Sequence, residues 1–241
     1  MSHFDFKRFR IEQDRCAMKV GTDGVLLGAW AEGGRRILDI GTGTGVIALM
    51  MAQRFANAMV TAIDIDEEAC RQARENALAS PFADRVAVVH SSVQAFSVDC
   101  LEKSLKTDSI ELFDSIVSNP PFFEQSLKNP DSRKATARHT DSLSFSDLFE
   151  NVSRLLSDDG VFSVIIPVEK LESFTSNAYL SGFYISRQCL VKTTLKKPAK
   201  RCLLAFKKHL PEVVEKSEIF LQNDDETRSE SYRNLTQDFY L

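Results

Sequence analysis

Residues 35 to 55 read RRILDIGTGTGVIALMMAQRF. This stretch limits the fold more than any other. The apolar run from Arg35 to Gly41 reads as a buried strand, and glycines follow at once at 41, 43 and 45. From Val46 to Phe55 the apolar residues Ile47, Met50, Met51 and Phe55 recur at helical spacing. A strand, a glycine turn and a helix in direct succession open a parallel crossover unit. The unit recurs. AMVTAIDID is a second strand, and EEACRQARENALAS a helix with acids in its first turn, where the helix dipole favours them. DRVAVVHSS and ELFDSIVSN read as strands three and four, SFSDLFENVSRLL as an amphipathic helix with a Ser or Asp cap, and DDGVFSVIIP as strand five. VEKLESFTSNAYLSGF reads as another helix, before an antiparallel pair, YISRQCLVKT and KRCLLAFKKH. The expected fold is α/β, a doubly wound and mostly parallel sheet. Ligands of such sheets bind beyond the carboxyl ends of the strands, at the switch point in strand order.

No repeat or low-complexity linker divides the 241 residues, so one domain is expected over 1–241. It is read as an N-terminal covering segment (1–34), a cofactor-binding core (35–210) and an acidic C-terminal segment (211–241). No stretch approaches the roughly 18 apolar residues of a membrane span, and MSHFDFKRFR lacks the apolar centre of a signal peptide. Five scattered cysteines without a CxxC pair suggest neither a zinc site nor a disulfide framework. A reduced, cytoplasmic protein without membrane or metal is expected, and the Asn-x-Ser/Thr matches at Asn151 and Asn234 then carry no meaning. The net charge of −4 hides an asymmetry. Eight basic residues and no acid lie between Arg187 and Lys208, and seven acids lie between Glu212 and Glu230. The N-terminus is basic again at Lys7, Arg8, Arg10, Arg15 and Lys19. Such patches suit phosphates, or they shield a strand edge from aggregation. The acidic segment is expected to pack elsewhere or to stay solvated.

In DIGTGTG the glycines permit a tight turn and a close approach of ligand to backbone. A phosphate-binding P-loop is excluded, because no GK[ST] follows. A dinucleotide fingerprint reads GxGxxG, whereas this loop reads GxGxG. Asp64 ends the second strand about 20 residues beyond the loop, where a carboxylate accepts from both ribose hydroxyls. A nucleoside with a ribose follows, and the shortened spacing favours S-adenosylmethionine over NAD.

SIVSNPPFFE, residues 115 to 124, closes the fourth strand. Pro120 and Pro121 cannot donate to a sheet ladder, so the strand stops at Asn119 with a stiff loop behind it. An Asn-Pro turn is the plainer alternative. Taken in order, DIGTGTG, AIDID and SNPPF resemble the class I S-adenosylmethionine-dependent methyltransferases, and NPPF resembles those acting on amino groups. The resemblance spans nearly the whole chain and implies a Rossmann-like sheet of seven strands, the last inserted antiparallel. It also implies a mechanism. An exocyclic amine is a poor nucleophile because its lone pair is delocalised into the ring. The Asn119 side-chain oxygen and the Pro120 carbonyl would accept from its two N–H bonds, Pro121 would stiffen the loop, and Phe122 would stack on the base, for about 1–3 kcal/mol. Neither a metal nor a covalent intermediate is needed.

QDRCAMKVGTDGVLLGAW, ARHTDSLSFSDL and LTQDFYL resemble one group in particular, the bacterial tRNA(Val) adenine-N6 methyltransferases, which modify the adenine beside the anticodon. The glutamine methyltransferases of release factors usually carry a helical domain ahead of the cofactor fold, whereas about 35 residues precede it here. Guanine-N2 enzymes are often two-domain chains. Methylation of either of those amino groups, or a non-catalytic module binding cofactor and RNA, are the alternatives. The resemblance implies cofactor contacts at Lys19, Gly21, Thr22, Asp39, Gly41, Gly43, Gly45, Asp64, Ile65, Ser92 and Asn119. Asp23 belongs to the same pre-sheet motif, although Thr22 or Asp23 also reads as a helix N-cap. Ser92 departs from the family, which usually has an aspartate there against the adenine amino group. Arg133, Lys134, Arg138, Lys196, Lys197, Lys200 and Arg201 are expected to meet RNA phosphates around a flipped base. His139 is read as structural or RNA-contacting, since the methylated amine needs no base. A monomer is expected, with tRNA as its partner.

Overall fold

The computed structural model describes residues 2–16, 18–107, 111–120 and 143–241. The chain opens with an antiparallel hairpin, β1 (His3–Asp5) and β2 (Arg10–Glu12). Then come α1 (Thr22–Trp30), β3 (Arg36–Ile40), α2 (Val46–Arg54), β4 (Met59–Asp64) and α3 (Glu67–Leu78). They are followed by β5 (Val86–His90), α4 (Val93–Thr107) and β6 (Phe113–Ser118). The second half holds α5 (Phe145–Leu155), β7 (Leu156–Pro167), a 3-10 turn (Val168–Lys170) and α6 (Leu171–Leu180). It ends with β8 (Tyr184–Lys192), β9 (Ala199–Lys207), β10 (Glu215–Phe220) and α7 (Glu230–Thr236).

The main sheet has the order β10-β8-β9-β7-β6-β3-β4-β5. β3 lies between β4 and β6 and is parallel to both, so the strand order reverses there, as expected for the switch point. β9 is inserted antiparallel between β7 and β8. Adjacent strand positions feed opposite cores. Ile37 and Val117 face the side covered by α1, α2, α3 and α7, and Leu38 and Ile116 face the side covered by α4, α5 and α6. Ser144 caps α5 by accepting from the Asp147 N–H at 3.0 Å, as its sequence suggested.

The sheet has eight strands where seven were expected. The additional strand, β10, comes from the acidic segment and runs parallel to β8 at the sheet's edge. Its sequence EKSEIF is largely exposed and charged, which suits an edge strand and leaves no apolar alternation to read. The acids therefore do not pack elsewhere. Glu215 meets Arg187 at 3.2 Å, Glu218 meets Lys192 at 2.7 Å and Asp224 meets Lys196 at 2.7 Å, so part of the basic run is neutralised within the chain. The two ends also close on each other. The Lys7 N–H donates to the Phe239 carbonyl at 2.8 Å, and the Phe6 and Tyr240 rings stack 6.1 Å apart.

Candidate functional site

Sheet register sets the site. Ile63 of β4, Ile40 of β3 and Ser118 of β6 lie on one line across the three strands. The next residue on each strand or its loop is Asp64, Gly41 or Asn119. Three sequence-distant positions thus reach one carboxyl edge because each stands one step beyond the same rung. Two bonds hold the rung. The buried Ser118 hydroxyl donates to the Ile40 carbonyl at 2.9 Å, and the Gly41 N–H donates to the Ile63 carbonyl at 2.9 Å.

The glycine loop is wound through positive φ at Gly41 (72°), Gly43 (54°) and Gly45 (83°), where a side chain would be strained. Among the described residues a Cβ on Gly41 or Gly43 would meet nothing within 4 Å, whereas at Gly45 it would press on Ala73 at 3.3 Å. The loop's near wall is Asp64, whose Oδ2 accepts from the Gly43 N–H at 2.8 Å and whose Oδ1 accepts from the Asp66 N–H at 3.0 Å. Each oxygen keeps a further lone pair. Ile65 beside it is 60% exposed, and its carbonyl is 3.0 Å from His90 Nε2. Loop shape and an acceptor pair therefore stand together, as a bound ribonucleoside requires.

With that geometry established, relatives become informative. Residues 20–167 match the family model of the methyltransferase small domain. A tRNA1(Val) (adenine(37)-N6)-methyltransferase of Phocaeicola vulgatus is 48% identical over 241 residues, covering 99% of this chain and 97% of that one. The enzyme of the same name in Bacteroides fragilis is 46% identical over 99% and 97%. The chain belongs to this methyltransferase family. Among solved structures, a predicted O-methyltransferase of Agrobacterium tumefaciens shares the fold, with TM-score 0.68 at 20% identity over 90% of this chain and 96% of that one.

In this methyltransferase Asp39 lies beneath the loop and does not reach its open side. It is fully buried, and its Oδ2 accepts from the Thr42 hydroxyl at 2.6 Å and the Ala48 N–H at 3.2 Å. Burial pushes its carboxyl up to about 7; the bonds from Thr42 and Ala48 oppose that rise, and Asp64 adds to it. An unfolded aspartate titrates near 3.8. Between those values the unfolded chain has released a proton that the folded chain keeps. The raised pKa therefore takes nothing from stability below about pH 4 and lowers it by about 1.4 kcal/mol per pH unit up to about pH 7. In Asp39→Asn this slope is expected to vanish. Thermal melts from about pH 5 to 7.5 check it, and parallel slopes in the two proteins would refute it.

The remaining predicted positions divide. Ser92 caps α4, accepting from the Ala95 N–H at 3.1 Å, and its oxygen has a second lone pair with which to accept from an amino group, as the usual aspartate would. The N-cap of α1 is Gly21, without a side-chain cap bond, so neither Thr22 nor Asp23 caps it. Asp23 instead pairs with Arg201 at 2.7 Å. β9 runs antiparallel to β7 with Arg201 opposite Pro167, which puts Arg201 at the same carboxyl edge. The pair thus fixes the start of α1 there. Lys196 is paired with Asp224, while Lys197, Lys200 and Lys19 are exposed. Pro120 is buried and Asn119 half-buried. Pro121, Phe122, Arg133, Lys134, Arg138 and His139 lie outside the described residues. Sequence reasoning missed Ser118 and Asn76. The signal for Asn76 is a polar residue that, with Gln72, interrupts a buried helix face otherwise made of Ala69, Cys70, Ala73 and Ala77.

Proposed function

We propose that this chain transfers a methyl group from S-adenosylmethionine to N6 of an adenine in tRNA, at the adenine(37) position of tRNA1(Val) named for its relatives. One observation carries the reading. Near-full-length identity of up to 48% to enzymes of that name coincides with the glycine loop, Asp64 and Asn119 at one sheet edge.

When bound, S-adenosylmethionine supplies a methyl group on a positively charged sulfur. Gly41 and Gly43 leave room for it, and Gly45 turns the chain into α2. Asp64 accepts from the ribose hydroxyls, Ile65 packs on the adenine, and Ser92 offers its hydroxyl to the adenine's edge. Lys19, Gly21 and Thr22 cover the methionine end, while Asp39 acts from beneath by keeping the loop in shape. Asn119 Oδ1 and the Pro120 carbonyl accept from the N–H bonds of the target amine, which favours a pyramidal nitrogen with a localised lone pair. Pro121 stiffens this loop and Phe122 stacks on the flipped base. The methylated amine is acidic enough to release its proton to water. Lys197 and Lys200, with Arg133, Lys134 and Arg138, contact phosphates. Lys196 and Arg201 do so less, since Asp224 and Asp23 already neutralise them. The protein acts as a single domain and a monomer in the cytoplasm.

The test is methyl transfer from labelled S-adenosylmethionine to unmodified total tRNA, followed by nucleoside analysis. N6-methyladenosine is the expected product. Label in ribosomal RNA guanine or in a release-factor glutamine, with none in tRNA, would replace the substrate assignment. Cofactor binding with no transfer to any of the three would mean a binding module.

A further inference from the structure

A buried side chain joins the glycine loop to the N-terminal segment. Asn76 of α3 is 2% exposed, and its amide is bonded on every side. Nδ2 donates to the Thr44 carbonyl inside the loop at 2.9 Å and to the Glu12 carbonyl of β2 at 2.8 Å. Oδ1 accepts from the Glu12 N–H at 2.9 Å. One amide thus spans two segments separated from it by 32 and 64 residues. Its neighbours on the helix extend the grip. Gln72, also 2% exposed, accepts from the Arg15 N–H at 3.4 Å, and Glu75 pairs with the Arg15 guanidinium at 2.7 Å. Positions 72, 75 and 76 are spaced to share one face of α3. Beyond Arg15, burial pushes the Cys16 thiol up to about 11, and the charges of Asp64 and Asp66 add to the rise.

We infer that Asn76 is a positioning residue that couples the glycine loop to the N-terminal segment, so that each holds the other in the shape that takes the cofactor. This inference rests on the cofactor reading above. A buried amide fits no other common side chain here. Aspartate accepts from Glu12 but cannot donate to the two carbonyls, and it would face both with a buried charge. Leucine fills the volume and leaves all three backbone groups unpaired. A residue with only a structural role would lower stability and leave the two segments uncoupled.

The test compares the native chain with Asn76→Asp, Asn76→Leu and Arg15→Ala, the last loosening the segment without touching the loop. Titration calorimetry with S-adenosylmethionine is expected to show affinity about tenfold weaker in either Asn76 variant, with KM for tRNA and kcat at saturating cofactor unchanged. Hydrogen exchange without cofactor is expected to rise at both the 12–16 segment and the 43–45 loop in the Asn76 variants, and at the segment in Arg15→Ala. A folded Asn76 variant with native affinity overturns the inference, as does an Asn76 variant in which exchange rises at only one of the two segments. If the native chain fails to bind S-adenosylmethionine, the cofactor reading falls, and the exchange arm still decides the coupling. Should both Asn76 variants fail to fold, Arg15→Ala carries the test. Faster exchange at the segment with cofactor affinity unchanged would then overturn the inference.

Discussion

Replacing Asn119 with alanine is expected to lower kcat on tRNA by on the order of 10²–10³-fold, the usual loss when one preorganised polar group facing the reacting centre is removed. Asn119 stands one residue beyond β6, and the strand end behind it is held independently by the Ser118 hydroxyl on Ile40. Truncation therefore removes an acceptor and leaves the rung in place. The Pro120 carbonyl is a backbone group and survives the change, so a residual rate should remain. The drop belongs in kcat rather than in KM, because the amine's lone pair localises only on the way to the transition state. Single-turnover methyl transfer at saturating tRNA and cofactor, with a thermal melt as control, makes the measurement. Native kcat in the folded variant would remove Asn119 from the mechanism.

How much of this was legible in the sequence follows from the distance over which each feature is determined. Gly41, Gly43, Gly45, Asp64 and Asn119 stand at strand ends, where a local change of residue type marks both the end and the chemistry. The shared rung, Ile63 to Ile40 to Ser118, needed only the strand order that a parallel sheet imposes. Features that depend on distant partners were hidden. Arg201 reads as a free cation until Asp23, 178 residues away, is placed beside it. Lys196 and Asp224 lie in runs of opposite sign that look separate in sequence and adjoin across β8 and β10. Helix α4 was missed for another reason. Val93 and Phe96 pack into the core while Val98, Leu101 and Leu105 are exposed, so apolar residues occur on both faces and the period is blurred.

For Asp64 the expected result concerns affinity. Asp64→Ala should weaken S-adenosylmethionine binding by about 10²-fold or more, since hydrogen bonds to a charged group contribute about 1.5–3 kcal/mol each and at least two are lost. The carboxylate has two duties that must be separated. It braces the loop through the Gly43 N–H at 2.8 Å and the Asp66 N–H at 3.0 Å, and in the proposed function its spare lone pairs accept from the ribose. Asp64→Asn separates them in part, because its single oxygen can still accept from Gly43 while its amide group loses the bond from the Asp66 N–H and turns a donor toward the ribose. Were the brace on Gly43 the whole contribution, this variant would bind nearly as the native chain does. A dideoxyribose analogue of the demethylated cofactor completes the cycle. The native chain should reject it strongly, and Asp64→Ala should hardly distinguish it from the ribose form, since the acceptors that told them apart are gone. Equal discrimination in both proteins would assign ribose recognition to another residue and leave Asp64 as a brace of the glycine loop.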